Sequence, residues 1–335
     1  MLNEVQTAMS PTASAVKMQH VTKIYTQWQR NEKNLLKNLI NPEKHIITAL
    51  QDISLEIQAG EFVAYAGPNG AGKSTTMKLL AGMLVPTEGE ISVLGLAPQH
   101  SRTQLMRKTG VLFGNRTELW WDHPVIQSYD WKKVVWDIPE KIYARNLAMV
   151  TDLLDLGPLL KTFARELSLG QRMRADIGMM LLHSPQLVLL DEPTLGLDVV
   201  AKRQMIEFLK KINREDGVSI VVTSHDMDDL EEMAQRILMV VGGKLAYDGS
   251  FDGLRAITGN LTHISVRTQS MQAPCLAGAA LLTSEHGVHT YEIDLAHHPI
   301  TKLMHTLSEV KGVQDIEIQK APIEKVVAGL YGHWK

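Results

Sequence analysis

The sequence predicts an α/β fold, an open and mostly parallel sheet built around a phosphate-binding loop, with a small α+β unit after it. Three observations predict it. Gly67-Pro68-Asn69-Gly70-Ala71-Gly72-Lys73-Ser74-Thr75 fills every fixed position of the pattern GxxxxGK[ST]. The apolar run Phe62 to Tyr65 precedes that loop, and a stretch carrying Met77, Leu80 and Leu84 at helical spacing follows it. Further on, Leu187 to Leu190 and Ile220 to Val222 are short, unbroken aliphatic runs of the kind that strands buried on both faces carry.

At 335 residues the chain has length for one large domain and one small one. A net charge of -3 with 21% charged residues lacks the strongly basic balance of a nucleic-acid binder, so no nucleic-acid partner is expected. The single cysteine, Cys275, excludes an internal disulfide framework and suits a reducing compartment such as the cytosol. Residues 1–15 have neither a basic start nor an apolar core, and read as a mobile leader. The longest apolar stretches fall far short of the roughly 20 residues that cross a bilayer.

Taken in order, Val21 to Tyr25 and Ile53 to Ile57 read as strands, and Ala59-Gly60-Glu61 leads into the strand before the phosphate loop. Residues 26–49 between them form an insertion in which Leu35, Leu36, Leu39 and Ile40 recur at helical spacing. That helix suits either a membrane partner or a flap over its own domain. Pro86 to Gly89 turns into a strand over Glu90 to Leu94, and another apolar run, Gly110 to Phe113, ends at Gly114-Asn115. Residues 116–175 then pattern as an inserted helical segment, in which Trp120, Trp121, Trp131 and Trp136 serve either as core or as interface anchors. Gly196-Leu197-Asp198 opens a helix that closes at Asp216-Gly217, and Ile237 to Val241, Gly242-Gly243 and Lys244 to Tyr247 read as a hairpin. The large domain spans 16–257. The rest, 258–335, predicts strands near 263–267, 290–295 and 315–319, a helix near 300–310 and a last helix from Pro322. His286, His289, His297 and His298 lack metal-ligand spacing and read as solvated.

The chemistry concentrates at three strand ends. Glycines let backbone N–H groups turn inward around phosphate oxygens, and the helix start adds partial positive charge. Lys73 then reaches the terminal phosphates, and the Ser74 hydroxyl suits Mg²⁺, a hard cation. Asp191 and Glu192 stand where ligands bind in open α/β sheets, Asp191 suiting the metal and Glu192 the attacking water. His225 follows another buried strand at the same sheet edge, in position to touch the terminal phosphate.

With these pieces in place, residues 17–250 resemble the nucleotide-binding subunits of ATP-binding cassette (ABC) transporters. Gly67 to Thr75 resembles the family's phosphate loop, Leu167-Ser168-Leu169-Gly170-Gln171 its LSGGQ signature, Leu187 to Glu192 its acidic strand and His225 its switch histidine. Asn115 falls where the family has glutamine, Asp198 in the loop that communicates across the dimer, and Tyr25 where an aromatic stacks on adenine. Leu169 departs from the first signature glycine, and Asn115 is one methylene shorter than glutamine.

The resemblance implies a P-loop NTPase of the ABC ATPase type that binds ATP and Mg²⁺. It also implies a head-to-tail dimer, homodimeric or with a paralogous ATPase. Each ATP then lies between Lys73, Ser74, Asp191, Glu192 and Asn115 of one subunit and Ser168, Gly170 and Gln171 of the other. The wording of Leu119-Trp120-Trp121-Asp122 and of the signature is most similar to ATPases of bacterial exporters, which implies separate integral membrane permease subunits and a peripheral place on the cytoplasmic face. Two alternatives stay open: an ABC ATPase acting on ribosomes or nucleic acid, and a regulatory module switched by ATP.

Overall fold

The computed structural model describes residues 14–29, 43–114, 117–257, 261–270, 272–295, 297–310 and 312–320. The chain divides into two compact units, residues 1–248 and 249–335.

The first unit holds two sheets. In the smaller, β1 (Ser14–Gln29) pairs antiparallel with both β2 (Glu43–Gln58) and β4 (Glu88–Val93). The larger contains β3 (Phe62–Ala66), β5 (Thr109–Phe113), β6 (Leu187–Asp191), β7 (Ser219–Thr223), β8 (Arg236–Val241) and β9 (Lys244–Ser250), in the order β5-β6-β7-β3-β8-β9. Its first five strands run parallel. Every residue of β3 and β7 is buried, which explains the unbroken apolar runs. Gly242 and Gly243, with φ of 56° and 79°, make the two-residue turn between β8 and β9 that the sequence predicts.

Around the sheets lie α1 (Lys73–Leu80), α2 (Arg102–Met106), α3 (Val125–Val135), α4 (Glu140–Leu153), α5 (Leu169–Leu181), α6 (Val199–Asp216) and α7 (Met227–Met233). One core cluster runs through both sheets, with Val21, Leu50 and Ile53 from the antiparallel sheet packed with Met77 and Leu80 of α1 and with Leu189 and Val221 of the parallel one. No helix among the described residues is long and apolar enough to cross a membrane.

Three expectations need correction. Ser14 and Ala15 are not leader: Ala15 is fully buried in β1, and its carbonyl accepts from the Leu94 N–H at 2.8 Å. The described flanks of the 26–49 insertion are strand, continuing the hairpin from Tyr25 opposite Ile47 to Gln29 opposite Glu43. The helix expected over Leu35 to Ile40 lies outside the described residues, as do residues 1–13.

In the second unit, after α8 (Phe251–Ile257), β10 (Leu261–Thr268), β11 (Ala279–Glu285), β12 (Val288–Asp294) and β13 (Val313–Lys320) form an antiparallel sheet of order β11-β12-β10-β13. The helix α9 (Ile300–Glu309) packs on it through Leu303 and Leu307 against Ile264, Val266, Tyr291 and Ile293. The third correction falls here: His289 is fully buried, not solvated. Its ring nitrogens lie 2.8 Å from Ser284 Oγ and 3.0 Å from Thr268 Oγ1. The helix expected from Pro322 lies outside the described residues.

Candidate active site

Strand order decides which segments meet. Because β6, β7 and β3 are neighbours and parallel, the loops at their carboxyl ends emerge side by side. These are Asp191-Glu192, Ser224-His225 and the phosphate loop.

The loop can be built only with glycine at two places. At Gly67 a Cβ would stand 2.2 Å from the Val240 carbonyl oxygen. At Gly72, which caps α1 with φ 106°, it would stand 2.5 Å from Leu50 Cδ2. Between them, Ala71 donates to the Pro68 carbonyl at 3.1 Å and closes the turn over Asn69 and Gly70. Lys73 opens α1 and is buried, its Nζ donating to the carbonyls of Gly67 at 2.6 Å and Pro68 at 3.2 Å. Burial lowers its pKa, and the nearby carboxylates of Glu192 and Asp191 work against that shift.

Ser74 Oγ donates to Asp191 Oδ2 at 3.0 Å, so the loop and the acidic strand are joined directly. The other oxygen, Oδ1, accepts from Thr223 Oγ1 at 2.6 Å. Glu192 leaves the strand in the left-handed region with φ 60°, an uncommon conformation for a side-chain-bearing residue. Its N–H donates to the Thr223 carbonyl at 3.1 Å, and its Oε1 lies 2.5 Å from His225 Nε2. The strained turn thus delivers the carboxylate to the histidine. Ser74 and Asp191 supply the hard oxygen donors that Mg²⁺ prefers, so the residues present fit the metal.

Tyr25 lies near the phosphate loop despite the long insertion after it: its Oη is 3.4 Å from Thr75 Oγ1, and Lys23 Nζ sits 5.4 Å from its ring centroid. The hairpin register returns the chain, so distance in sequence does not become distance in space.

The signature residues stand at the start of α5. Ser168 Oγ accepts from the Gln171 N–H at 3.2 Å, and Ser168 N–H donates to Gln171 Oε1 at 2.9 Å, a reciprocal capping box. The Gln171 side chain is therefore engaged in its own helix start. Leu169 lies over the next loop, where a Cβ on Gly196 would be 2.3 Å from its Cδ2. Asp198 caps α6, accepting from the Ala201 N–H at 2.8 Å. Among the described residues no hydrogen bond or ion pair joins Ser168, Gly170 or Gln171 to the phosphate loop. The placement of Asn115 lies outside the described residues.

Sequence reading missed several groups. Lys202 Nζ sits 2.7 Å from Asp226 Oδ2 and 2.9 Å from Asp229 Oδ1, and Thr194 Oγ1 donates to Asp229 Oδ2 at 2.9 Å. That network ties the helix after Asp198 to the helix after His225. Asp176, on α5, is buried and accepts from Thr117 Oγ1 at 2.8 Å and from the Glu118 N–H at 3.1 Å. A lone carboxylate among Ala175, Ile177 and Gly178 was the available signal.

Burial pushes the Asp176 carboxyl up to about 6. The Thr117 and Glu118 hydrogen bonds oppose this, the Glu118 charge adds to it and Arg172 offsets it. A carboxyl raised in the folded state contributes stability present below its unfolded value, near 4, and lost as pH rises through about 6. Asp176→Asn does not titrate. Its stability relative to wild type is expected to rise by up to about 3 kcal/mol between roughly pH 4 and pH 8. Urea titrations at both ends check it, and a pH-independent difference would refute the assignment.

Comparison with known proteins bears on this arrangement. A family model described as ABC transporter matches residues 50–195. The chain is 35% identical over 215 residues to the phosphonates import ATP-binding protein of Trichormus variabilis, covering 62% of this chain and 88% of that protein. A putative ABC transporter ATP-binding protein of Clostridium acetobutylicum is 30% identical over 262 residues, 77% of this chain and 92% of that one. The methionine import ATP-binding protein of Latilactobacillus sakei is 33% identical over 216 residues, and the match spans 62% of this chain but 61% of that relative's length. Among solved structures, a dimeric post-hydrolysis state of an ATP-binding cassette bound to ADP and Pi is similar at a TM-score of 0.59 and 25% identity, covering 70% of this chain and 98% of that one.

Proposed function

The chain belongs to the ABC transporter family, as an ATP-binding protein, and from that premise we propose that it hydrolyses ATP as a dimer and so drives a separate membrane permease. One observation carries the reading: Lys73, Ser74, Asp191, Glu192 and His225 come from three neighbouring strand ends and are joined through the 3.0 Å Ser74–Asp191 and 2.5 Å Glu192–His225 contacts. Phosphate release from ATP, with and without chelation of Mg²⁺, tests it directly.

In this mechanism the phosphate-loop amides and the Lys73 ammonium hold the terminal phosphates. Ser74 and Asp191 hold Mg²⁺, which when bound neutralises charge on the phosphate oxygens. Glu192 accepts the proton of the attacking water, whose oxygen bonds to the γ-phosphorus as the bond to ADP breaks. His225 keeps the Glu192 carboxylate aimed and touches the departing phosphate. Tyr25 offers its ring to adenine. Asn115, beside Gly114 at the end of β5, serves as the shorter counterpart of the family's glutamine.

Two features support dimerisation. The signature residues have no bond to their own phosphate loop, and Leu169, Leu195, Val199 and Val200 beside them are exposed. Exposed apolar side chains gathered at one surface mark interaction sites, and in this reading the occupant is a second ATPase subunit. A second ATPase placed head to tail brings Ser168 and Gly170 to the first subunit's ATP.

The membrane partner docks, in this reading, on the helical segment. Trp120, Trp121 and Trp131 are 37%, 50% and 40% exposed, and Val134 and Val135 beside them are exposed too. The Trp120 and Trp131 rings lie 5.3 Å apart at an angle of 51°, so two of the exposed indoles are in contact. Replacing Trp121 and Trp131 by alanine is expected to weaken co-purification of the permease by about 30-fold or more, the effect of losing interface anchors. ATP affinity stays unchanged. Equal recovery of the partner by variant and wild type would exclude this surface.

Export is the direction we propose, from the likeness of the Leu119 to Asp122 and signature stretches to exporter ATPases; the protein then sits peripherally at the cytoplasmic face. The import names of the Trichormus and Latilactobacillus relatives favour the opposite direction. Inside-out vesicles carrying the complex separate the two, since export fills them on addition of ATP and import empties them.

A further inference from the structure

The segment 117–121 begins just past the loop that follows β5, whose Gly114 N–H donates to the Asp191 carbonyl at 2.9 Å, and it ends in the exposed indoles of Trp120 and Trp121. Along that path it is gripped from two helices. From α3, Ser128 Oγ accepts from the Trp120 N–H at 2.9 Å, and the buried Lys132 ammonium reaches Glu118 at 3.0 Å. From α5, Asp176 takes both the Thr117 hydroxyl and the Glu118 N–H on one carboxylate oxygen. Thr117 Oγ1 in turn accepts from the Leu119 N–H at 3.1 Å, so the carboxylate fixes the turn itself.

The helix that supplies Asp176 is the one that begins at Ser168. Eight residues at 1.5 Å rise put the carboxylate about 12 Å along the axis from the signature, on the same rigid element. Between them, Arg172 sits 5.6 Å from the Trp121 ring centroid. One helix therefore carries, in order, the signature, a cation over an exposed indole, and a buried anchor for the backbone beside that indole. Among the described residues no hydrogen bond or ion pair joins Asp176 to the phosphate loop or the acidic strand.

We propose that Asp176 is a positioning residue that locks the 117–121 segment to the signature helix, so that movement of the helix start is delivered to the surface formed by Trp120 and Trp121. A plain packing role needs no carboxylate here. Asp176 is 7% exposed, and burying an acid costs stability that an apolar side chain would not. Among the described residues the hydrogen bonds to the acid come from this segment, with Arg172 a nearby positive charge and the Tyr129 hydroxyl, which donates to the Ala175 carbonyl at 2.6 Å, the neighbouring group on α3.

The test reads hydrogen exchange of the full chain with and without ATP and Mg²⁺. In wild type, nucleotide changes exchange at 118–121 as well as in the phosphate loop. In Asp176→Leu the response at 118–121 is expected to fall at least fivefold while phosphate-loop protection persists, and Asp176→Asn, which keeps an acceptor, restores most of it. Should the leucine variant not fold, Thr117→Val removes one of the two bonds and is expected to lose about half the response. A full response at 118–121 in either variant overturns the proposal. Its functional consequence rests on the docking surface proposed above: with the permease bound, the ratio of stimulated to basal hydrolysis is expected to drop at least tenfold in Asp176→Leu. If wild type recruits no permease but the exchange result holds, the docking reading fails and the lock stands.

Discussion

Glu192→Gln is expected to leave ATP and Mg²⁺ binding intact, to slow hydrolysis by about 10²–10⁴-fold, and to make the ATP-bound dimer accumulate. The amide has the size of the acid, and the backbone bond that holds position 192, from its N–H to the Thr223 carbonyl, does not involve the side chain. What disappears is the carboxylate 2.5 Å from His225 Nε2, the one carboxylate of the Asp191–Glu192 pair not engaged by Ser74 or Thr223. Asp191 is not placed to substitute: its oxygens face Ser74 Oγ and Thr223 Oγ1, and in this reading it serves Mg²⁺. Phosphate release gives the rate, and light scattering with ATP gives the mass. Adding Ser168→Arg to the same chain is expected to return it to a monomer that still binds ATP, since a guanidinium at the helix start meets the partner's site with steric and charge conflict. Hydrolysis at the wild-type rate by Glu192→Gln would overturn the assignment of the base.

The parallel sheet and the phosphate loop were legible because both reflect strong local constraints. Strands covered on both faces cannot hide their apolar runs, and a loop with clashes at 2.2 Å and 2.5 Å for any Cβ at Gly67 and Gly72 leaves glycines that sequence alone displays. The hairpin of β1 and β2 was legible only at its buried middle. Beyond Tyr25 the strands carry exposed residues such as Ile46 and His45, alternation is lost, and an insertion was the natural reading. β11 was missed for the same reason, being exposed over nearly its whole length. The nearness of Tyr25 to Thr75 depends on pairing register, which no local pattern encodes. Asp176 and the Lys202–Asp226–Asp229 network are tertiary facts, made by residues that sequence shows only as charges on helices.

Lys73→Ala is expected to weaken ATP binding by at least about 10²-fold, equivalent to roughly 3 kcal/mol or more. The lysine is 7% exposed as a residue, so water screens its charge less than it would at the open surface when phosphates are brought into the loop. Burial already lowers its pKa, and arriving phosphates reverse that pressure by favouring the charged form. The substitution also leaves the Gly67 carbonyl without its donor and takes one of two from the Pro68 carbonyl, which keeps the Ala71 N–H, and this loosens the loop that positions the backbone amides. Both losses fall on nucleotide binding, and neither touches the core beneath β3. The apo thermal transition therefore moves little, while the stabilisation that wild type gains from ATP and Mg²⁺ vanishes. Calorimetric titration gives the affinity, and the variant stays monomeric because closure needs bound ATP. Nucleotide affinity within about threefold of wild type would show that the lysine serves the loop's structure and not its ligand.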